Sequence, residues 1–429
     1  MVFKKTLCSL LLICVIGAAL MAEGKQEKEV KKKVEITIMV GSHGRYLIDK
    51  TAEAFHALNP HITVNIVPVS SVPQEYWQTY VTMFTAQDGS AHIVGWYPTQ
   101  IYHMARAGWL TPLEELWEKG FEKELKEYEK TAIEINTIEG KLYGLPLYPD
   151  ALMLYYRKDL LDKYGFGPPK TWKELKSQSL AIIKGEGDES LAGYIYQARK
   201  IEGITANFRV FQSGNGGEIL DKNNQSAFDS PENLEAARYM MDLLDSGASP
   251  ASISTHNPND DRIQFGNGDA IFMNNWPFAM MTYLDKESPV YGKVAIARPP
   301  GKNGPARCCL GGVGLGINAF SKNKDAAWEF IKYLTNFEWN KRRALEASLL
   351  PGKPAVYDDP EVKNHPAFKE FANAAPWLTP LPTHKTPYYL KISDQIQLHL
   401  NRMVSNQESP EDAIKLAHEG IVKVLKEGD

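Results

Sequence analysis

The chain has little cysteine, and what it has cannot staple a fold. Of its four cysteines, Cys8 and Cys14 fall in an amino-terminal leader, while Cys308 and Cys309 are neighbours. Adjacent residues stay reduced or close only on each other as a strained vicinal disulfide, so the fold must be held by apolar cores. No ligands at metal-binding spacing accompany them, and neither a metal nor any other cofactor is indicated. Positive charge is also short: 48 Lys and Arg against 52 Asp and Glu give a formal net charge of −4, which points away from nucleic acid. A His-Glu-x-x-His motif, a nucleophile elbow and a Walker loop are all missing. The run Gly312-Val313-Gly314-Leu315-Gly316 lacks the dinucleotide-binding spacing. Carboxylates are numerous enough that counting alone does not exclude a glycosidase-like pair, but no catalytic motif emerges. The segment His256 to Asp261 lacks the periodicity of a calcium loop and reads as a polar turn.

Long apolar runs are equally scarce, and the single one lies at the start. Lys4 and Lys5 precede an apolar stretch from Leu7 to Met21, with Ala22 as a cleavage position, so residues 1–22 read as a secretory signal. The stretch is short for a membrane span, and charge follows at once; an uncleaved anchor is the alternative. Neither leader cysteine sits where a lipid-modified residue would. An exported protein without a lipid anchor stays near its cell only behind an outer membrane, which makes the periplasm the expected location. Residues 23–33 (EGKQEKEVKKK) carry dense mixed charge with no apolar face and read as a tether. Loss of the leader removes two lysines and leaves 46 basic against 52 acidic residues, a net of −6. Roughly 400 residues remain, too many for one ordinary core and suited to two domains of about 200.

From Val34 onward strands and helices take turns, which implies α/β sheets. Val34–Val40 and Ile62–Val67 alternate as strands, and Arg45–Leu58 and Pro73–Ala86 have helical periodicity. His92–Trp96 reads as a short buried strand and Thr99–Ala107 as a helix. Two β-rich runs, Leu142–Leu147 and Ala151–Arg157, flank Tyr148-Pro149-Asp150, where a first crossing between lobes is expected. A helix over 231–246, capped by Ser230 and stopped by Gly247, belongs to a second lobe. The stretch Arg298–Pro305 reads as a return crossing, Gly312–Phe320 as a strand and Asp325–Phe337 as a helix of the first lobe. Residues 350–429 then cross a third time. The expected division is 34–148 with 299–347 for one lobe and 149–298 with 348–429 for the other.

Eight local signatures occur together and in order. They are Gly108-Trp109-Leu110-Thr111-Pro112-Leu113, Gly140-Lys141-Leu142-Tyr143-Gly144-Leu145-Pro146, Tyr155-Tyr156-Arg157-Lys158-Asp159-Leu160-Leu161 and Pro169-Lys170-Thr171-Trp172-Lys173-Glu174-Leu175. After them come Glu202-Gly203-Ile204-Thr205, Met273-Asn274-Asn275-Trp276-Pro277, Leu310-Gly311-Gly312 and Ala326-Ala327-Trp328-Glu329-Phe330-Ile331. Together they resemble the extracellular solute-binding proteins of carbohydrate ABC importers, in particular the trehalose/maltose-type branch. The resemblance covers nearly all of residues 34–429. It implies a periplasmic-binding-protein-like α/β fold of two lobes joined by crossover segments. It further implies a ligand cleft between the lobes that closes by hinge motion, a monomer, and a membrane permease as partner.

A sugar presents hydroxyls and flat C–H faces, so its pocket needs polar groups beside aromatic platforms. The resemblance places Asp150 as an acceptor for sugar hydroxyls and Trp276 as a stacking platform past a strand end. Gly311 and Gly312 would let main chain approach a ligand, or would simply form a β-bulge. Glu202 would structure the second-lobe wall, and Asn215, in a loop with permissive backbone, would reach the cleft. Two carboxylates expected from the resemblance are absent: Trp96 and Tyr97 stand where a strand-end aspartate is usual, and the Ser42-His43-Gly44-Arg45 loop has no acid. Around Tyr388 an arginine is missing, with His384 as a substitute. Either the sugar differs from trehalose and maltose, or the solute carries an acid that His43, Arg45 or His384 would meet. Plainer readings make Trp96 a core residue and Arg45 a helix-surface charge. The rival classes are a catalytic glycosidase-like protein and a sensor that presents its ligand to a receptor.

Overall fold

The computed structural model describes residues 32–41, 45, 47–70, 73–371 and 386–427, with the side chains of 73–75 and 370 excepted. The leader, the tether as far as residue 31 and His43, like the segment bearing His384, lie outside the described residues.

Two sheets organise the chain. Strand β1 (Val34–Gly41) pairs in parallel with β2 (Ile62–Val69) on one edge and β3 (Ile93–Trp96) on the other. A small hairpin, β4 (Thr137–Ile138) and β5 (Lys141–Leu142), precedes β6 (Gly144–Ala151), which stays in this first sheet as its edge strand. The next strand, β7 (Met153–Arg157), belongs to a second sheet with β8 (Ala192–Ile195), β9 (Ala270–Asn275) and β10 (Val294–Ala297), in the order β10-β7-β9-β8. Strand β11 (Leu310–Ile317) then returns to the first sheet between β3 and β6, antiparallel to both. Each sheet carries its own buried core, so the molecule is a pair of α/β lobes.

Tyr148-Pro149-Asp150 does not break the chain as the sequence suggests; it continues β6, and the change of sheet falls on Leu152 alone. Two circumstances accommodate Pro146 and Pro149. Strand β6 is an edge, where a missing N–H goes unnoticed, and its pairing with β11 slips by one residue between Val313 and Gly314. The second crossing, residues 298–309, runs alongside the first, with the Leu152 amide donating to the Cys309 carbonyl at 3.0 Å. Cys308 and Cys309 are free, buried thiols, and burial pushes Cys308 up to about 12. A third passage follows the helix Phe337–Ala347, whose Ala344 already joins the second core. From there the chain reaches the long helices Tyr389–Val404 and Pro410–Glu427, where Ile392, Ile396 and Leu400 pack in the same core as Ile204 and Phe208.

Helix ends follow local chemistry. The first helix begins at Ile48, not Arg45, because Leu47 takes a left-handed φ of 64°; Arg45 pairs with Asp49 at 3.2 Å on its surface. The helix Pro231–Asp245 has the expected Ser230 cap, whose Oγ accepts from the Asn233 amide. The helix expected to run to Phe337 stops at Leu334. A second begins at Phe337, where the Asn336 side chain accepts from the Trp339 amide.

Candidate functional site

The crossings meet at a small apolar cluster of Leu152, Ala206, Val210, Ala306 and Cys309, and Trp276 packs against it. Trp276 leaves the carboxyl end of β9 and is fixed by its backbone: its amide donates to Asn275 Oδ1 at 2.9 Å, and its carbonyl accepts from the Tyr155 hydroxyl at 2.9 Å. Pro277 turns the chain directly afterwards. The indole ring lies over Gly311 of the other lobe, so closely that a Cβ there would stand 2.7 Å from a ring carbon. Gly311 is therefore required by the approach of Trp276. Gly312 is required by its φ of 115° and by the carbonyl of Tyr148, which a Cβ would meet at 2.5 Å.

Asp150 pairs directly opposite Gly311 across β6 and β11. Opposed residues share a face of a sheet, so the Asp150 carboxylate stands on the side occupied by the Trp276 ring. It is 8 % exposed, and the one described hydrogen bond to it comes from the Ala151 amide, its own neighbour, at 2.9 Å. Burial holds its carboxyl well above the usual range, with only that hydrogen bond acting in the opposite sense.

On the second lobe, the helix Glu202–Asn215 presents Glu202, Ala206, Arg209 and Val210 around the same junction. Glu202 is a saturated acceptor: Oε1 takes the Tyr389 hydroxyl at 2.8 Å, and Oε2 takes Ser393 at 2.6 Å and Gln397 at 3.4 Å. Desolvation raises its carboxyl, and these donors and the nearby Arg209 guanidinium pull the other way. The Cys309 thiol lies within electrostatic reach of Arg209, Glu202 and Asp150 alike. Strap-like, the segment before Tyr389 also touches the first lobe, where His103 Nδ1 meets the Pro387 carbonyl at 3.3 Å.

The profile of the family described as bacterial extracellular solute-binding protein matches residues 41–341. The chain belongs to that family. A probable ABC transporter-binding protein of Deinococcus radiodurans is 32 % identical over 315 residues, 71 % of this chain and 74 % of the relative. The maltose-bound MalE3 of T. maritima superposes with a TM-score of 0.83 at 33 % identity, covering 91 % of this chain and 99 % of that one. A solute-binding protein of Thermotoga lettingae bound with alpha-D-tagatose gives 0.79 at 26 % identity, again covering 91 % and 99 %. The chain is thus the solute-binding component of an ABC transporter, and its family works outside the cytoplasm.

For a solute-binding protein of this kind the crevice is defined by the residues that meet across it. The structure brings together Asp150, Gly311, Gly312, Trp276 and Glu202. Tyr97, partly buried, reaches the carboxyl end of β1 near Gly41 and packs edge-on to Tyr76. Tyr388 is partly buried beside the strap. The plain readings describe three others. Trp96 is buried in the first lobe with its Nε1 donating to Asn136 at 2.9 Å. Arg45 is a surface charge, and Asn215 ties its amide to Glu232 and Glu235 of the next helix. Arg209, Tyr155, Tyr389 and Cys309 escaped the sequence reading. A polar residue two turns after Glu202 on one helix face was the available signal for Arg209.

A notch beside Gly311, lined by Trp96, Tyr148 and Pro149, has room for about one water, at 10 Å³. A sugar does not fit in it. A roomier depression of 670 Å³ lies among Arg238, Asp242, Glu408 and Asp412 on the outer helices, without the aromatic platform a sugar site needs.

Proposed function

We propose that this solute-binding protein captures a sugar between its lobes, closes on it, and presents the loaded form to a membrane permease. The observation that carries the reading is the juxtaposition of Trp276 from one lobe with Asp150 and Gly311 from the other. A rigid indole offers a flat apolar face, and beside it stands a buried carboxylate with acceptor capacity unused by the fold. That pairing suits a pyranose, whose C–H face stacks while its rim hydroxyls donate. Gly312 backbone, Tyr97, Glu202 and Tyr388 complete the proposed lining, and the ligands of the two solved relatives, maltose and tagatose, support the class. A ligand touching both lobes favours the closed form by its additional contacts there, which gives the permease a shape to recognise.

The lobes follow the division 34–148 with 299–347 and 149–298 with 348–429 except at the first boundary: β6 stays in the first sheet through Ala151, so that boundary moves to Leu152 and Asp150 belongs with the first lobe. The protein acts as a monomer in the periplasm after removal of residues 1–22, and performs no catalysis. The test is mass spectrometry of solute carried through gentle purification, followed by thermal unfolding with the solute identified. A sugar recovered unchanged that raises Tm is the expected result. A sugar converted to products would replace the reading with an enzymatic one, and a non-carbohydrate solute would replace the sugar.

A further inference from the structure

Arg209 stands outside the residues assigned so far. It lies mid-helix and is 5 % exposed. Burying a guanidinium is costly unless an anion compensates it. Among the described residues no carboxylate lies within ion-pair distance of Arg209. Glu202, whose carboxyl feels the Arg209 charge, has both oxygens committed to Tyr389, Ser393 and Gln397. Arg343 makes a useful contrast: its Nε and Nη1 are sealed from solvent without a partner, deep in the third passage. The nitrogens of Arg209 are not sealed in this way. The helix neighbours Ala206 and Val210 pack with Leu152, Cys309 and Trp276, so this face of the helix borders the crevice. The Cys309 thiol beside the guanidinium is a weak acceptor and leaves most of its five donors unmet.

We propose that Arg209 is a ligand anchor, and that the sugar taken by this crevice carries a carboxylate, as a uronic acid or an oligosaccharide ending in one. This rests on the sugar-binding reading above and narrows it. Hydroxyls satisfy hydrogen bonds but leave a buried positive charge uncompensated as the lobes close. A carboxylate supplies the compensating charge, and its two oxygens match the guanidinium fork. Asp150 then faces the hydroxyl rim and Arg209 the acid, on opposite lobes, which fixes the direction in which the sugar lies. The three earlier candidates for meeting an acid differ from this one: Arg45 is already paired with Asp49 on the surface, and His43 and His384 lie outside the described residues.

The test is calorimetry of the mature protein with four pairs of solutes. These are D-glucuronic acid against D-glucose, D-galacturonic acid against D-galactose, digalacturonic acid against galactobiose, and cellobiouronic acid against cellobiose. At least one acid is expected to bind tenfold or more tightly than its neutral counterpart, with affinity falling as salt rises. Arg209→Gln should collapse that ratio toward one, and Arg209→Lys should retain part of it; Tm of each variant reports folding. Glu202→Gln, which removes the competing negative charge, should shift the acid's affinity upward relative to the neutral sugar's. Neutral sugars binding as well as the acids, or an unchanged ratio in Arg209→Gln, would overturn the anchor while leaving the sugar-binding protein intact. Binding of neither class would bring down both readings.

Discussion

The two desolvated carboxylates at the crevice make opposite use of the same environment. Asp150 on the first lobe and Glu202 on the second are both raised by desolvation. Glu202 receives hydrogen bonds from three side chains of one helix, whereas Asp150 receives one, from the adjacent amide. A satisfied buried acid joins elements together; an unsatisfied one costs stability until something binds it. The first lobe therefore offers the crevice an unmet acceptor and bare main chain, and the second offers a braced wall.

The contrast can be broken most forcefully through the residue that touches both sides. Trp276→Ala should weaken ligand binding by about 1–3 kcal/mol, through lost aromatic burial, with the fold retained. Unchanged affinity by calorimetry would remove Trp276 from the site. Next, Glu202→Ala should lower unfolding stability by about 2 kcal/mol, because Tyr389, Ser393 and Gln397 lose a shared acceptor. Urea titration checks it, and a midpoint within error of wild type would mean the wall is not braced by this acid.

Asp150→Asn should act in the other direction on the fold, raising stability by about 1 kcal/mol at pH 7 while reducing sugar affinity by about tenfold. The pH dependence follows from the sign of the shift. A carboxyl raised in the folded state binds its proton more tightly there than in the unfolded chain. The penalty from Asp150 is therefore full above its folded pKa and is relieved as pH falls through that value toward the unfolded one near 4. The Tm advantage of Asp150→Asn should shrink on acidification, and an advantage constant between pH 7 and pH 4 would show that the carboxylate is not desolvated. The smallest effect is expected at Arg45→Ala, which breaks an exposed pair with Asp49 and should change stability by less than about 0.5 kcal/mol. A larger loss by the same titration would give Arg45 a role beyond that pair.

The two sides of the crevice were also unequally legible in the sequence. Asp150, Gly311 and Trp276 sit at strand ends, where alternation and turn residues mark their place, and the family signatures include two of them. The alternation of strand and helix likewise carried the α/β architecture. Arg209 lies inside, and Tyr389 at the start of, helices whose buried faces mix polar and apolar residues, and periodicity cannot say which polar residue looks into a crevice. Pro149 misled for a related reason: a proline reads as a break, and only the edge position of β6 shows why the strand continues through it.

The single residue Leu152 separates a strand of one sheet from a strand of the other. With one residue there are two freely turning bonds, and its amide is tied to Cys309 in the neighbouring passage. Such a joint bends as a book bends at its spine, and it resists sliding of one cover along the other. The permease would then have to distinguish degrees of opening about a nearly fixed axis, a far smaller repertoire than two tethered bodies would offer.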